Sequence, residues 1–219
     1  MISLDLIVKL IVSYLLGSVS GGMVLGKLNG VDIRKMGSGN AGGTNAFRTM
    51  GTKFALGVLI IDVIKGFIAV NFVPNLNIIT LNPSIVLSSE ITALSCGFGA
   101  VMGHVYPLYY NFKGGKGAGT MVGVLLGMFP VGLAICLIAW GIVLILSGYV
   151  GLSTIIAGII LPISTALIYP KGLSSSFGVF SMIIAFFIFF THRSNISRML
   201  TGNENRFNKI MLFRRRSPS

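Results

Sequence analysis

The chain has 219 residues, of which 53% are hydrophobic and 10% charged. Soluble domains carry about 25% charged residues, so the composition excludes an ordinary water-soluble fold and points to an all-α protein that crosses a membrane several times. Seventeen Lys and Arg against five acidic residues give a net charge of +12. On a soluble chain that balance would suggest nucleic acid. On a membrane chain, loops facing an anionic leaflet or anionic substrates explain it better, and no nucleic-acid partner is expected.

A membrane-spanning helix needs about 20 apolar residues. Taken in order, the runs 4–26, 54–73, 85–106, 120–146, 149–169 and 176–191 qualify. The first lacks a basic leader and an A-x-A-like cleavage site, so it reads as a retained span. Ser18, Gly22 and Gly26 in the first run, and Gly119, Gly123 and Gly127 in the fourth, repeat every four residues. Such faces let helix backbones approach closely. Packing within one chain is the expected use, rather than a dimer interface, and a monomer is expected. With no internal repeat and no low-complexity linker, residues 1–219 read as one integral membrane domain.

The links alternate in charge. Lys27, Arg34, Lys35, Arg48 and Lys53 occupy 27–53, and Lys113 and Lys116 occupy 111–119, whereas 74–84 has no charge. The tail after Thr191 carries Arg193, Arg198, Arg206, Lys209, Arg214, Arg215 and Arg216. The positive-inside rule then puts the N-terminus outside and all three basic stretches, with the C-terminus, in the cytoplasm. Parity demands an even number of spans between the second and third stretches, and Pro130 with Gly132 would break 120–146 into two helices. Seven spans are therefore expected; five, with a run such as 176–191 not crossing, is the alternative.

The polar stretches are GSGNAGGTN (Gly37 to Asn45, continuing to Arg48), GHVYPLYYNFKGGKGAGT (Gly103 to Thr120) and THRSNISRMLTGNENR (Thr191 to Arg206). Flexible glycines, amides, hydroxyls and cations are what a site for phosphate esters needs. GSGNAG matches G-x-G-x-x-G, but it follows an apolar span and a basic turn instead of a strand, which rejects a dinucleotide fold. KGGKGAGT fails as a Walker A loop because Gly117, not Ser or Thr, follows Lys116. What survives is a run of glycine amides able to converge on an anion beside Lys113 and Lys116. The plainer alternative is a basic loop obeying the positive-inside rule.

In the first stretch Ser38, Asn40, Thr44, Asn45 and Arg48 are donors close in sequence. A helix starting near Asn45 would put Thr44, Asn45 and Arg48 on adjoining faces, although turn and cap chemistry also uses such residues. His192 and Asn195 share a face of any helix, with Arg193 and Arg198 nearby; His is the usual general base but also a common structural donor. His104 is a weaker candidate. Asp62 and Lys65 lie inside the second span, where a charge marks a site by default, and mutual neutralisation is their expected main role. Cys96 and Cys136 read as packing residues. Two histidines and five scattered acids suggest no metal site, and no cofactor is expected.

Together the three stretches resemble the bacterial membrane family of acyl-phosphate:glycerol-3-phosphate acyltransferases, whose loops read GSGNxGxTN, GHxFPxxxxFKGGKGxAT and HRxNIxRxxxGxE. Tyr106 stands where the family has Phe, Gly119 where Ala is common, and DVIKG (Asp62 to Gly66) is similar to the family's DxxKG. The likeness covers nearly the whole chain, in order. It implies transfer of a fatty acyl group from acyl phosphate to the 1-hydroxyl of sn-glycerol 3-phosphate, in the bacterial inner membrane, with the active site at the cytoplasmic face. The products would be lysophosphatidic acid and inorganic phosphate, the first step to phospholipids, with the acyl chain kept among membrane lipid.

By this resemblance Ser38, Thr44, Asn45 and Arg48 hold phosphate, as do Lys113 and Lys116 with the backbone of Gly114, Gly115 and Gly117. His192 and Asn195 orient the acceptor, and Gly39, Asn40, Arg193 and Glu204 complete the substrate-binding set. Ser38, Arg48, Lys116, His192 and Asn195 are the residues assigned to the chemistry. Either His192 or a substrate phosphate takes the hydroxyl proton. An acyl phosphate is a mixed anhydride, so direct attack needs no covalent intermediate. The H-x4-D pair of other glycerolipid acyltransferases is missing: Tyr109 and Ser197 stand where His104 and His192 would need Asp. A transporter for organic phosphate anions is the alternative, but its charges should lie near the midplane on broken helices in symmetric halves. Lys116→Ala and Asn45→Ala are both expected to abolish turnover without unfolding.

Overall fold

The computed structural model describes residues 4–76 and 88–212, apart from the side chain of Lys209. Part of the uncharged link (77–84), the start of the run 85–106 and Arg214, Arg215 and Arg216 lie outside the described residues. Every regular element among those described is helical. In order they are α1 (Leu4–Ser18), α2 (Gly21–Leu28), α3 (Gly43–Met50), α4 (Thr52–Asn71), α5 (Ser89–Val105), α6 (Ala118–Met128), α7 (Pro130–Ser147), α8 (Val150–Ile168), α9 (Ser176–Thr191) and α10 (Arg193–Leu200). The chain packs as two compact units, Met1–Pro130 and Val131–Ser219.

Four segments are long and apolar enough to cross a membrane: Thr52–Asn75, Ser89–Tyr110, Pro130–Ser147 and Val150–Ile168. Two bent pairs, α1 with α2 at 44° and α9 with α10 at 50°, raise the number to at most six. The apolar run 4–26, read as one span, is thus a broken helix. Its composition hides the break, but glycines at 17, 21 and 22 weaken helical propensity there, and buried side chains from α4 satisfy the backbone groups the break exposes. The run 120–146 divides where expected. Pro130 disfavours helical geometry in the residue before it, and Phe129 sits at φ −152°, ψ 71° between α6 and α7.

In the first unit α1 packs on α5, and α4 packs on α2, α3, α5 and α6. The small residues are what permit this. A Cβ at Gly123 would strike the Val63 carbonyl, and one at Gly66 the Thr120 carbonyl, so α4 and α6 meet backbone to backbone. In lipid, where apolar surface gains nothing by leaving solvent, such close van der Waals packing supplies the association. Cys96 is fully buried in this unit.

In the second unit α8 and α9 form a pair, with α10 against both. Ser175 caps α9, its Oγ accepting from the Gly178 amide at 2.8 Å, and Tyr169 stacks on Phe177 with ring centroids 4.6 Å apart. Beyond α10 the chain returns along the end of α7, where the Phe207 amide donates to the Gly148 carbonyl at 2.9 Å.

Candidate functional site

The first stretch is built around Asn45. It lies on α3, which begins at Gly43, so Thr44, Asn45 and Arg48 do share a helix. Asn45 is 1% exposed. Its two Nδ2 protons are shared among the carbonyls of Ile33 (3.0 Å), Met36 (3.0 Å) and Asn40 (2.9 Å), and its Oδ1 accepts from the Ser38 amide at 2.8 Å. An amide side chain has two donors and one acceptor oxygen, so Asn45 is fully engaged in folding the loop over itself. Ser38 and Gly39, at its crest, are exposed, and Arg48 is half-buried.

The second stretch folds back over the end of α5. The amides of Lys113, Gly114 and Gly115 donate to the carbonyls of Tyr110 (3.2 Å), Val105 (3.2 Å) and His104 (3.1 Å). The anion nest expected from the glycine run therefore does not use these three N–H groups, which the loop needs for its own turn. Lys113 is exposed, Lys116 half-buried, and Gly117 caps α6 at φ 90°, a conformation that favours glycine.

Arg34 joins the two loops. Its Nε and Nη2 grip the Asp32 carboxylate at 3.1 and 3.0 Å, and its Nη1 donates to the carbonyls of Tyr110 (3.1 Å) and Lys113 (3.4 Å). Those side-chain hydrogen bonds hold the Asp32 carboxyl below the usual carboxylate range and raise the Arg34 guanidinium. Around them lies a cavity of about 380 Å³ lined by Asp32, Arg34, Gly39, Asn111, Lys113 and Gly114. Gly39, Lys113 and Gly114 belong to the predicted set. Asp32, Arg34 and Asn111 are outside it, although the i, i+2 opposite charges of Asp32 and Arg34 just before the glycine stretch are a visible signal.

Behind the second loop lies a buried polar cluster. Asp62, Lys65 and His104 are each 2–3% exposed. Lys65 Nζ is 2.9 Å from Asp62 Oδ1, so the two do neutralise each other, and 2.9 Å from His104 Nδ1. The pair also serves the α1–α2 break: Lys65 donates to the Val19 carbonyl at 2.8 Å and Asp62 accepts from the Gly21 amide at 3.2 Å.

The third stretch, in the second unit, forms its own clamp. His192 stands at the α9–α10 bend. Its Nδ1 is 2.8 Å from the Ile188 carbonyl; a carbonyl only accepts, so Nδ1 carries the proton and the lone pair of the neutral ring is on Nε2. Glu204 is 6% exposed, accepting from Asn195 Nδ2 at 3.1 Å and from Arg198 Nε at 2.6 Å. Arg193 is exposed, lying 4.3 Å over the Phe190 ring. Among the described residues no three His, Cys, Asp or Glu gather as a metal-ion set.

Comparison with known proteins adds to this geometry. The family profile described as glycerol-3-phosphate acyltransferase matches residues 7–202. The chain is 40% identical to the glycerol-3-phosphate acyltransferase of Geotalea daltonii, covering 93% of this chain and 98% of that one. It is 36% identical to that of Chlorobium limicola, covering 93% and 97%. Among solved structures it is similar to PlsY (YgiH), an integral membrane glycerol 3-phosphate acyltransferase, in its glycerol 3-phosphate form. There the TM-score is 0.76 at 35% identity, covering 92% of this chain and 95% of that one. The lysophosphatidic acid form of the same protein gives 0.75 at 34% identity, with the same coverage.

Proposed function

Because the chain belongs to the glycerol-3-phosphate acyltransferase family, we propose that it transfers a fatty acyl group from acyl phosphate to the 1-hydroxyl of sn-glycerol 3-phosphate, releasing lysophosphatidic acid and inorganic phosphate. The observation that carries this reading is the Arg34-latched cavity, where two glycine-rich loops present Gly39, Lys113 and Gly114 in one basic recess. Both substrates are phosphate esters or anhydrides. Cations that hold two anions side by side offset their repulsion and convert a bimolecular encounter into an oriented one.

In the reaction the glycerol hydroxyl attacks the acyl carbonyl. Its proton passes to His192 or to a substrate phosphate, the C–O bond to phosphate breaks, and inorganic phosphate departs with the electron pair. Ser38, Gly39, Asn40, Thr44 and Arg48 from the first stretch hold phosphate together with Lys113, Lys116 and Gly117. Asn45 acts on the loop that carries them, and Gly114 and Gly115 act through their place in the turn. His192 and Asn195 orient the acceptor, with Nε2 of His192 as the ring position able to take a proton. Glu204 positions Asn195, and Arg193 adds positive charge for the substrates.

For topology we propose seven spans: the four that length and hydropathy support, the two bent pairs each taken as one span, and α6 as a short fourth span in chain order. The N-terminus is then outside and the three polar stretches are cytoplasmic, in a bacterial inner membrane, with the protein working as a monomer among lipids. The test is acyl transfer by the purified protein to labelled glycerol 3-phosphate, comparing palmitoyl phosphate with palmitoyl-CoA. Product from acyl phosphate alone supports the reading. Product only from the thioester overturns the donor, and no product from either returns the anion transporter to first place.

A further inference from the structure

The Asp62, Lys65 and His104 cluster takes no part in the proposed transfer, yet its hydrogen bonds fix the orientation of the imidazole. An ammonium has three protons, and Lys65 Nζ has three acceptors within reach: the Val19 carbonyl at 2.8 Å, Asp62 Oδ1 at 2.9 Å and His104 Nδ1 at 2.9 Å. His104 Nδ1 also lies 3.4 Å from Asp62 Oδ1, but the nearer Lys65 ammonium can only donate, so Nδ1 accepts from it and the neutral ring carries its proton on Nε2. That edge is turned to the glycine-rich loop. A Cβ added at Gly115 would collide with His104 Nε2 and would stand 2.9 Å from Cε1 and 3.0 Å from Cδ2. The same residue holds the loop by its backbone, since its carbonyl accepts from the Gly115 amide at 3.1 Å.

We propose that His104 is a positioning residue for the glycine-rich loop: held by the Lys65–Asp62 ion pair, its ring is the surface on which Gly115 lies, and this seat sets where Lys116 and Gly117 meet phosphate. The proposal rests on the acyl-transfer reading. It explains why the loop has glycine at 115 in a place where φ is not positive: the need is room for the imidazole, not backbone freedom. It also gives the buried ion pair a purpose beyond neutrality, because a ring held at one nitrogen by an ordered ammonium cannot rotate away when the loop is loaded.

The experiment is a mutant cycle on the full chain in detergent, titrating glycerol 3-phosphate with palmitoyl phosphate saturating. Gly115→Ala should raise KM for glycerol 3-phosphate about tenfold or more while kcat changes less, since a loop shifted by the order of 1 Å loses binding geometry. His104→Asn keeps an oxygen near the Nδ1 position to accept from Lys65 but removes the Nε2 edge. In that background Gly115→Ala should raise KM by less than about threefold, the non-additivity of two residues in contact. His104→Gln, which refills the space, should not rescue. An equal KM penalty in the His104 and Asn backgrounds overturns the proposal. Should His104→Asn not fold, the double replacement Asp62→Leu with Lys65→Met releases the ring without stranding a charge, while also unpairing the Val19 carbonyl and the Gly21 amide; unchanged KM there overturns the proposal as well. Wild-type protein silent with either donor would reject the acyl-transfer reading itself, so the two failures are distinct.

Discussion

In the loops of the first unit, the residues that hold the backbone differ from those proposed to meet a substrate. Asn45 and Arg34 are engaged with carbonyls and with Asp32, whereas Ser38, Gly39 and Lys113 are exposed. In the third stretch the two tasks fall on the same residues. His192 is tied by Nδ1 to the Ile188 carbonyl, and Asn195 is tied to the buried Glu204, yet both are proposed to orient the acceptor. The first arrangement lets binding change without the scaffold, while in the second a change to one is a change to the other. A phosphate cradle built on loops needs separate supports because loop backbone has no ladder of its own; a helix terminus already supplies that order.

The sharpest test of the contrast is Lys116→Ala. Loss of a cation proposed to hold phosphate should lower kcat/KM by about 10³-fold with little change in melting temperature. A large drop in thermal stability would show that Lys116 belongs with the scaffold. Next is Glu204→Ala, which leaves Asn195 and the partly exposed Arg198 without their carboxylate. About 2–3 kcal/mol of stability should be lost together with activity. Activity lost at unchanged melting temperature would undo the claim that the third stretch merges the two tasks.

Asn45→Ala comes third. The sequence alone leads to lost turnover without unfolding; the hydrogen bonds of Asn45 lead to a different prediction. Removing the amide strands the buried Ile33 carbonyl and the partly buried carbonyls of Met36 and Asn40, for about 2 kcal/mol, so melting should fall with activity. Ser38→Ala, at an exposed position, should cost activity alone, and circular dichroism melts of the two variants decide the point. The smallest effect is expected from Arg34→Lys. A lysine cannot grip Asp32 bidentately while donating to Tyr110 and Lys113, so KM for glycerol 3-phosphate should rise about three- to tenfold at nearly constant kcat. A kcat loss with KM unchanged would place Arg34 in the chemistry instead.

Much of the architecture was legible because it depends on neighbours in sequence. Apolar runs of span length became helices α4, α5, α7, α8 and α9 within a few residues of their expected bounds, and Pro130 broke 120–146 for a reason internal to one peptide unit. The 44° break at Val19–Ser20 was only half legible: Gly17-Ser18-Val19-Ser20-Gly21-Gly22 is a weak helical stretch, but the groups that complete the broken helix come from α4, more than forty positions away.

The candidate site divides the same way. The amino-acid sequence by itself determined which segments gather glycine, amides and cations, and hence the class of ligand, because charge and backbone freedom are properties of each residue. Only the tertiary structure decided which of those groups face outward. Asn45 and the Gly114 and Gly115 amides turned inward to satisfy carbonyls. Arg34 became a latch, and His104 became the wall behind the loop. The physical reason is that a buried polar group must find a partner wherever the fold brings one, and for these residues the partners arrive from segments that no local pattern connects.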